Sequence, residues 1–146
     1  MSIRDIFIRE VASASDGNTV YEAAMFMRNA HVGSLVVIND QHAPIGILTD
    51  RDIVLSVVAA GLEPKEVKVT DVMTRDPLVV HEEADLWGTI QIMRTHGVRR
   101  VPVVNSQHQL VGIIAADDML ELLAKQGYTL IELISQEQIK ELNRLN

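Results

Sequence analysis

Apolar residues along this chain switch between two periodicities, and the switches mark out elements. Over residues 19–30, Val20, Ala23, Ala24 and Met27 recur at three- and four-residue spacing, which predicts a helix. Thr19 at its head, with Glu22 three positions on, has the pattern of a capping box. Residues 32–38 predict a strand, and their continuous branched Leu-Val-Val-Ile run predicts that it is buried on both faces. Asn39-Asp40-Gln41-His42 predicts a turn, and residues 45–48 an antiparallel return strand. Residues 50–60 predict a second helix, with Gly61 as its stop. The same order then returns. A helix is predicted over 85–95, a strand over 98–104, a turn over 105–109, a strand over 110–114 and a helix over 116–125.

The second series is a copy of the first. At an offset of 66 positions twelve residues are identical without a gap, from Asp5 and Arg9 against Asp71 and Arg75 to Asp52 against Asp118. Asn39, Gln41 and His42 meet Asn105, Gln107 and His108, and Gly46-Ile47 meets Gly112-Ile113. One register held over that length is a tandem duplication. The expected fold is α+β, built from two β-α-β-β-α repeats. A unit of about sixty residues buries only a modest share of its surface. The two repeats are therefore expected to pack sheet on sheet about a pseudo-twofold axis. The expected organisation is repeat one over 1–60, a linker over 61–70, repeat two over 71–126 and a tail over 127–146. In the tail Ser135 reads as an N-cap with Gln138 in the capping-box position, and Ile139, Leu142 and Leu145 form a sparse apolar stripe. That stripe suits a short helix laid on its own domain or a contact between copies.

Composition narrows the function. The chain has 146 residues, 47% hydrophobic and 23% charged, which is globular rather than disordered. It has no cysteine, which excludes disulfides, thiolate metal sites and thiol nucleophiles. Aromatic residues are only 3%, so the core is aliphatic and stacking platforms for single-stranded nucleic acid are missing. A net charge of −7 repels a phosphate backbone, so no nucleic-acid partner is expected. No apolar run reaches the ~18–20 residues of a membrane span. Residues 1–10 mix Arg4, Asp5, Arg9 and Glu10 among apolar positions, unlike a secretory leader. A soluble cytoplasmic protein with no membrane partner is the expectation.

Two stretches carry a resemblance: Val32-Gly33-Ser34-Leu35-Val36-Val37 with Gly46-Ile47-Leu48-Thr49-Asp50-Arg51-Asp52, and Val98-Arg99-Arg100-Val101-Pro102-Val103-Val104 with Gly112-Ile113-Ile114. Together with Val69-Thr70-Asp71-Val72-Met73-Thr74, they resemble the CBS (cystathionine β-synthase) domain in its paired form, the Bateman module. The resemblance covers about residues 3 to 126. It implies a regulatory module that binds an adenosine-containing ligand, such as AMP, ADP, ATP, NAD or S-adenosylmethionine, in the clefts between repeats. It also implies a homodimer, a flat disc of four repeats joined through helices, and a regulated protein partner. No cofactor is required. The family's nucleotide motif falls here on Gly46, Thr49 and Asp52, with Asp52 toward the ribose hydroxyls and Thr49 by ribose or phosphate. Arg99 or Arg100 would reach the phosphates.

The residue chemistry supports that assignment independently. A carboxylate accepts from both hydroxyls of a vicinal diol, arginine forks suit phosphate, and a glycine at 46 permits close approach. The spacing of Thr49 and Asp52 is equally that of a plain helix cap. The second cleft, with Asp118 and Gly112, should be weaker, because Ala115 stands where Thr49 does. A ligand-free interaction module is the alternative. No catalytic residues and no metal site are expected: His31, His42, His81, His96 and His108 have no metal-ligand spacing, no phosphate-binding glycine loop appears, and Ser34 and Ser56 lack a nucleophile motif. Asp50 with Asp52, and Asp117 with Asp118, read as acids at helix starts.

Overall fold

A computed structural model describes residues 1–146. After a single 3-10 turn at Ile3–Asp5, the elements are β1 (Ser13–Ser15), α1 (Val20–Ala30), β2 (Ser34–Ile38), β3 (Pro44–Thr49) and α2 (Asp50–Ile53). They continue with α3 (Val69–Val72), β4 (Thr74–Arg75), β5 (Val80–His81), α4 (Leu86–His96), β6 (Arg100–Val104), β7 (Leu110–Ala115) and α5 (Ala116–Leu145). One sheet has the order β1-β2-β3-β4, the other β5-β6-β7. In each, the first strand runs parallel to the next and the hairpin that follows is antiparallel.

The duplication holds at the level of single hydrogen bonds. Val37 pairs with Gly46 and Val103 with Gly112, and both hairpins slip register at the following residue. The Asn39 carboxamide oxygen accepts from the amides of Gln41 and Ala43, and Asn105 does the same for Gln107 and Gln109. His42 and His108 both sit at positive φ, 64° and 60°. The Thr19–Glu22 capping box forms as its spacing predicts. The Thr19 amide, and then its hydroxyl, hold the Glu22 carboxyl below its ordinary pKa. At the other end of α1, His31 takes the left-handed conformation at φ 54°, where the second copy has Gly97 at φ 64°. Only glycine adopts that conformation without a Cβ penalty. His31→Gly is therefore expected to stabilise the protein by about 0.5–1 kcal/mol, read as a raised urea midpoint. A midpoint that falls would remove this account of the cap.

The two cores are built by exchange. Ile3 and Phe7, at the head of the chain, lie in the second core with Val80, Leu86, Met93, Val101, Val103, Ile114 and Met119. Val69 and Met73, their equivalents 66 positions on, lie in the first core with Ala14, Ala23, Met27, Leu35, Val37 and Leu48. Ile3 and Val69 are both fully buried. The strands follow suit: Ile47 pairs with Thr74, and Ile113 with Ile8. Each copy thus lends its head to the other, a reciprocity that realises the pseudo-twofold relation. Residues 61–70 are not a free tether. Val67 and Pro64 accept from the amides of Val20 and Tyr21, at 2.8 and 3.1 Å, and Val69 donates to the Asn18 carbonyl at 3.0 Å.

Two expectations are corrected. The helix over 50–60 is a short α2 followed by a π-helical stretch, Val54–Val58, with the Ala59 amide reaching the Val54 carbonyl at 2.8 Å. Gly61, at φ 71°, then ends it. In the second copy no such stop exists, and the tail is not a separate helix: α5 runs unbroken for 30 residues, through Gly127 and Ser135. Gly127 is the equivalent of Gly61. Pro64 follows the first glycine and bars a continuing helix, whereas Tyr128-Thr129-Leu130-Ile131-Glu132 follows the second.

Candidate functional site

Each return strand delivers its chain into a helix at the same corner. In the first repeat β3 ends at Thr49, extended at φ −109°, and turns directly into α2. The Thr49 hydroxyl accepts from the Asp52 amide at 3.1 Å, and Asp52 Oδ2 accepts from the Thr49 amide at 2.9 Å. Both residues are half-buried. The expected cap is therefore real, and it fixes the Asp52 carboxylate against the end of the strand. One carboxylate oxygen is committed to the cap. No hydrogen bond within the chain engages the other. Across the strand pair Ser34 lies opposite Thr49, which puts a second hydroxyl-bearing residue at this corner.

In the second repeat the corner is barer. Ala115, buried at the end of β7, offers no side-chain cap to α5. Asp118 keeps the position of Asp52 without a capping partner. Arg100 opens β6 opposite Ala115, and Arg99 precedes it. Both arginines are exposed. Arg99 pairs with Asp117 at 2.6 Å, an exposed contact of little energetic weight. Asp117, read from the sequence only as a helix-start acid, is thus the residue that holds Arg99. Its equivalent in the first copy is Arg51, so the charge at that position is inverted between repeats. Thr49 joins Asp52 directly, and Arg99 and Arg100 sit with Ala115 and Asp117. No hydrogen bond or ion pair connects the two groups.

The glycines are explained by packing. A Cβ on Gly46 would overlap the Met73 thioether and stand 3.0 Å from the Thr74 carbonyl oxygen. A Cβ on Gly112 would overlap the Phe7 ring and stand 2.8 Å from the Ile8 carbonyl oxygen. The close approach each glycine permits is made by the head borrowed from the other copy.

The profile of the CBS domain matches twice, over residues 3–59 and 69–125, the same two segments that exchange their heads. The chain belongs to the CBS-domain family. Hypoxic response protein 1 of Mycobacterium tuberculosis is 36% identical over 124 residues, 85% of this chain and 86% of that one. The match to a Methanopyrus kandleri protein, 34% over 122 residues, spans 62% of that longer chain. Among solved structures, that of hypoxic response protein I with two coordinated zinc ions superposes with a TM-score of 0.74 at 34% identity, covering 83% of this chain. The CBS domain pair of MJ0100, solved with 5′-methylthioadenosine and S-adenosylmethionine, gives 0.73 at 21% identity and 86% coverage, a likeness of fold. In the present chain no three His, Asp or Glu side chains come together as a metal site would require. No helix is long and apolar enough to cross a membrane. A CBS pair is a regulatory module, and the architecture here is that of the pair.

Proposed function

We propose that this CBS pair is a non-enzymatic regulatory module that binds an adenosine-containing ligand between its repeats. The ligand class comprises AMP, ADP, ATP, NAD and S-adenosylmethionine. Thr49 and Asp52 meet the ribose, and Arg99 or Arg100 meets the phosphates. Gly46 shapes the floor by letting Met73 pack beneath β3. The observation that carries this reading is the Asp52 carboxylate, held by its cap with one oxygen uncommitted, which is the acceptor a ribose hydroxyl needs. The adenosyl ligands of the MJ0100 pair support the ligand class. The corner at Ala115, Asp118 and Gly112 is the weaker second cleft. A ligand that spans both repeats favours one relative orientation by its differential affinity, and a partner reads that orientation. The module works in the cytoplasm as a homodimer.

Calorimetric titration with AMP, ATP, NAD and S-adenosylmethionine tests the proposal. At least one is expected to bind, and at 100 times its Kd to stabilise the fold by about 2.7 kcal/mol. Asp52→Asn, which keeps an oxygen for the cap, is expected to weaken binding tenfold or more with little loss of stability. Equal affinity in that variant removes Asp52 from the site. Absence of both heat and thermal shift for all four ligands removes the function. A ligand-free interaction module is the second reading. It is favoured by the exposed Val54, Leu55, Val58 and Leu62 around the π-helical stretch. It predicts partner capture that no nucleotide alters.

A further inference from the structure

The duplication shows, in one repeat, what covers a face that the other leaves open. In the first repeat the linker closes the head of α1. Val67 and Pro64 accept from the amides of Val20 and Tyr21, and the Lys65 ammonium lies 4.8 Å from the centre of the Tyr21 ring. An antiparallel bridge beside them joins Thr19 to Lys68. In the second repeat the matching bridge joins Asp85 to Ser2, and Met1 accepts from Leu86 at 2.7 Å as Val67 does from Val20. There the match stops. Trp87 stands 66 positions after Tyr21, yet its amide has no carbonyl partner and its ring has no cation over it. The Asp85 carboxylate stands near the amide, and Trp87 is 56% exposed. The residues that follow the second repeat, as the linker follows the first, are part of α5 and supply neither contact.

The surroundings define what fits this face. A helix start leaves its first amides in want of acceptors, so an incoming carbonyl finds a donor at Trp87. An indole attracts a cation more strongly than a phenol ring does. The approach to α4 is also more acidic than the approach to α1, since Glu82, Glu83 and Asp85 stand where Asp16, Gly17 and Thr19 do. Arg4 pairs with Glu83, and the amino terminus lies 3.5 Å from Asp85. Glu82 has no ion-pair partner, so the balance around the indole is negative.

We propose that the face around Trp87 docks an extended, basic segment of a partner protein. A lysine of that segment lies over the indole, and the carbonyl of the residue before it takes the Trp87 amide. This is the contact that Pro64 and Lys65 make on Tyr21, supplied from outside the chain. Tyr21 stays 43% exposed beneath Lys65, so the contact is shallow and the segment binds weakly and reversibly. The partner that reads the module thereby acquires a chemistry, and its docking needs no nucleotide.

Trp87 is the only tryptophan, so its emission reports the contact directly. The probe is acetyl-Gly-Leu-Gln-Pro-Lys-Gln-amide, the linker hexapeptide 61–66 with its two glutamates made neutral. Titrated into the full chain, it is expected to shift the emission saturably and to leave free N-acetyltryptophanamide unaffected. The same peptide with glutamine for lysine is expected to bind about two- to fivefold more weakly. Trp87→Leu, a change at an exposed position, is expected to lose that preference for lysine, read from the amide chemical shifts of residues 85–88. The absence of a saturable shift overturns the docking face, and so does equal affinity for the two peptides. A lysine preference retained in Trp87→Leu places the peptide elsewhere and overturns the proposal. An emission that shifts with protein concentration alone assigns the face to a second copy and overturns it too. None of these readings depends on whether an adenosine-containing ligand binds between the repeats.

Discussion

Deleting residues 1–9 is expected to unfold the second repeat and leave the first one folded. The deletion removes Ile3, fully buried, and Phe7, 6% exposed, from a core otherwise built of residues 80–119. Each carries about 2–3 kcal/mol of transfer free energy, and the cavity left behind adds to it. The pairing of Ile8 with Ile113 is lost too, as is the Arg4–Glu83 ion pair. The total is about 5 kcal/mol or more, comparable to the whole stability of a small domain. The first core draws on Val69 and Met73 instead, and they remain. Hydrogen exchange resolved by mass spectrometry reads the outcome segment by segment. Amides of β6 and β7 should lose protection while those of β2 and β3 keep theirs. Full protection of β6 and β7 in the shortened chain would falsify the exchange as an energetic feature.

Gly112→Ala is expected to cost about 2–3 kcal/mol, and Gly46→Ala about 1 kcal/mol. The two glycines are equivalent by sequence and by register, so the difference lies wholly in what packs on them. At Gly46 the obstructing atoms belong mainly to Met73, an unbranched side chain that can turn aside. At Gly112 they belong to a planar Phe7 ring and to the Ile8 backbone, neither of which yields without moving a strand. Urea unfolding of both variants measures the costs. Phe7→Leu should offset part of the Gly112→Ala cost, giving a coupling of about 1 kcal/mol or more between these contacting positions. Equal costs at the two glycines, or strict additivity with Phe7→Leu, would show that the ring is not the obstruction.

Local features were the legible ones. The capping boxes at Thr19 and Thr49, both hairpins and the duplication follow from spacings of a few residues, and each appears as its spacing implies. The lending of heads between copies was not legible, because hydrophobic periodicity tells a residue to be buried without telling it where. Ile3 and Val69 look the same in either arrangement. For the same reason Gly46 could be read as room for a ligand when Met73 occupies that space. At the candidate site, Thr49 and Asp52 are close neighbours in sequence and their mutual bond could be anticipated. The Arg99–Asp117 pair spans 18 residues and depends on how β6 and α5 meet, which no short pattern encodes. The length of α5 turned on an absence, since nothing after Gly127 does what Pro64 does after Gly61.

The exchanged heads also set a clock for biosynthesis. Ile3 and Phe7 are made more than a hundred residues before Met119 completes the core that shelters them. At roughly 5–20 residues per second, the interval is on the order of 6–20 s. Throughout it, a nascent chain holds two large apolar side chains with no native place to go. The first repeat faces a shorter wait, ending when Met73 is made. A ribosome-bound chain is therefore expected to pass through a stage with one finished core and one orphaned head, the form in which chaperones would meet it.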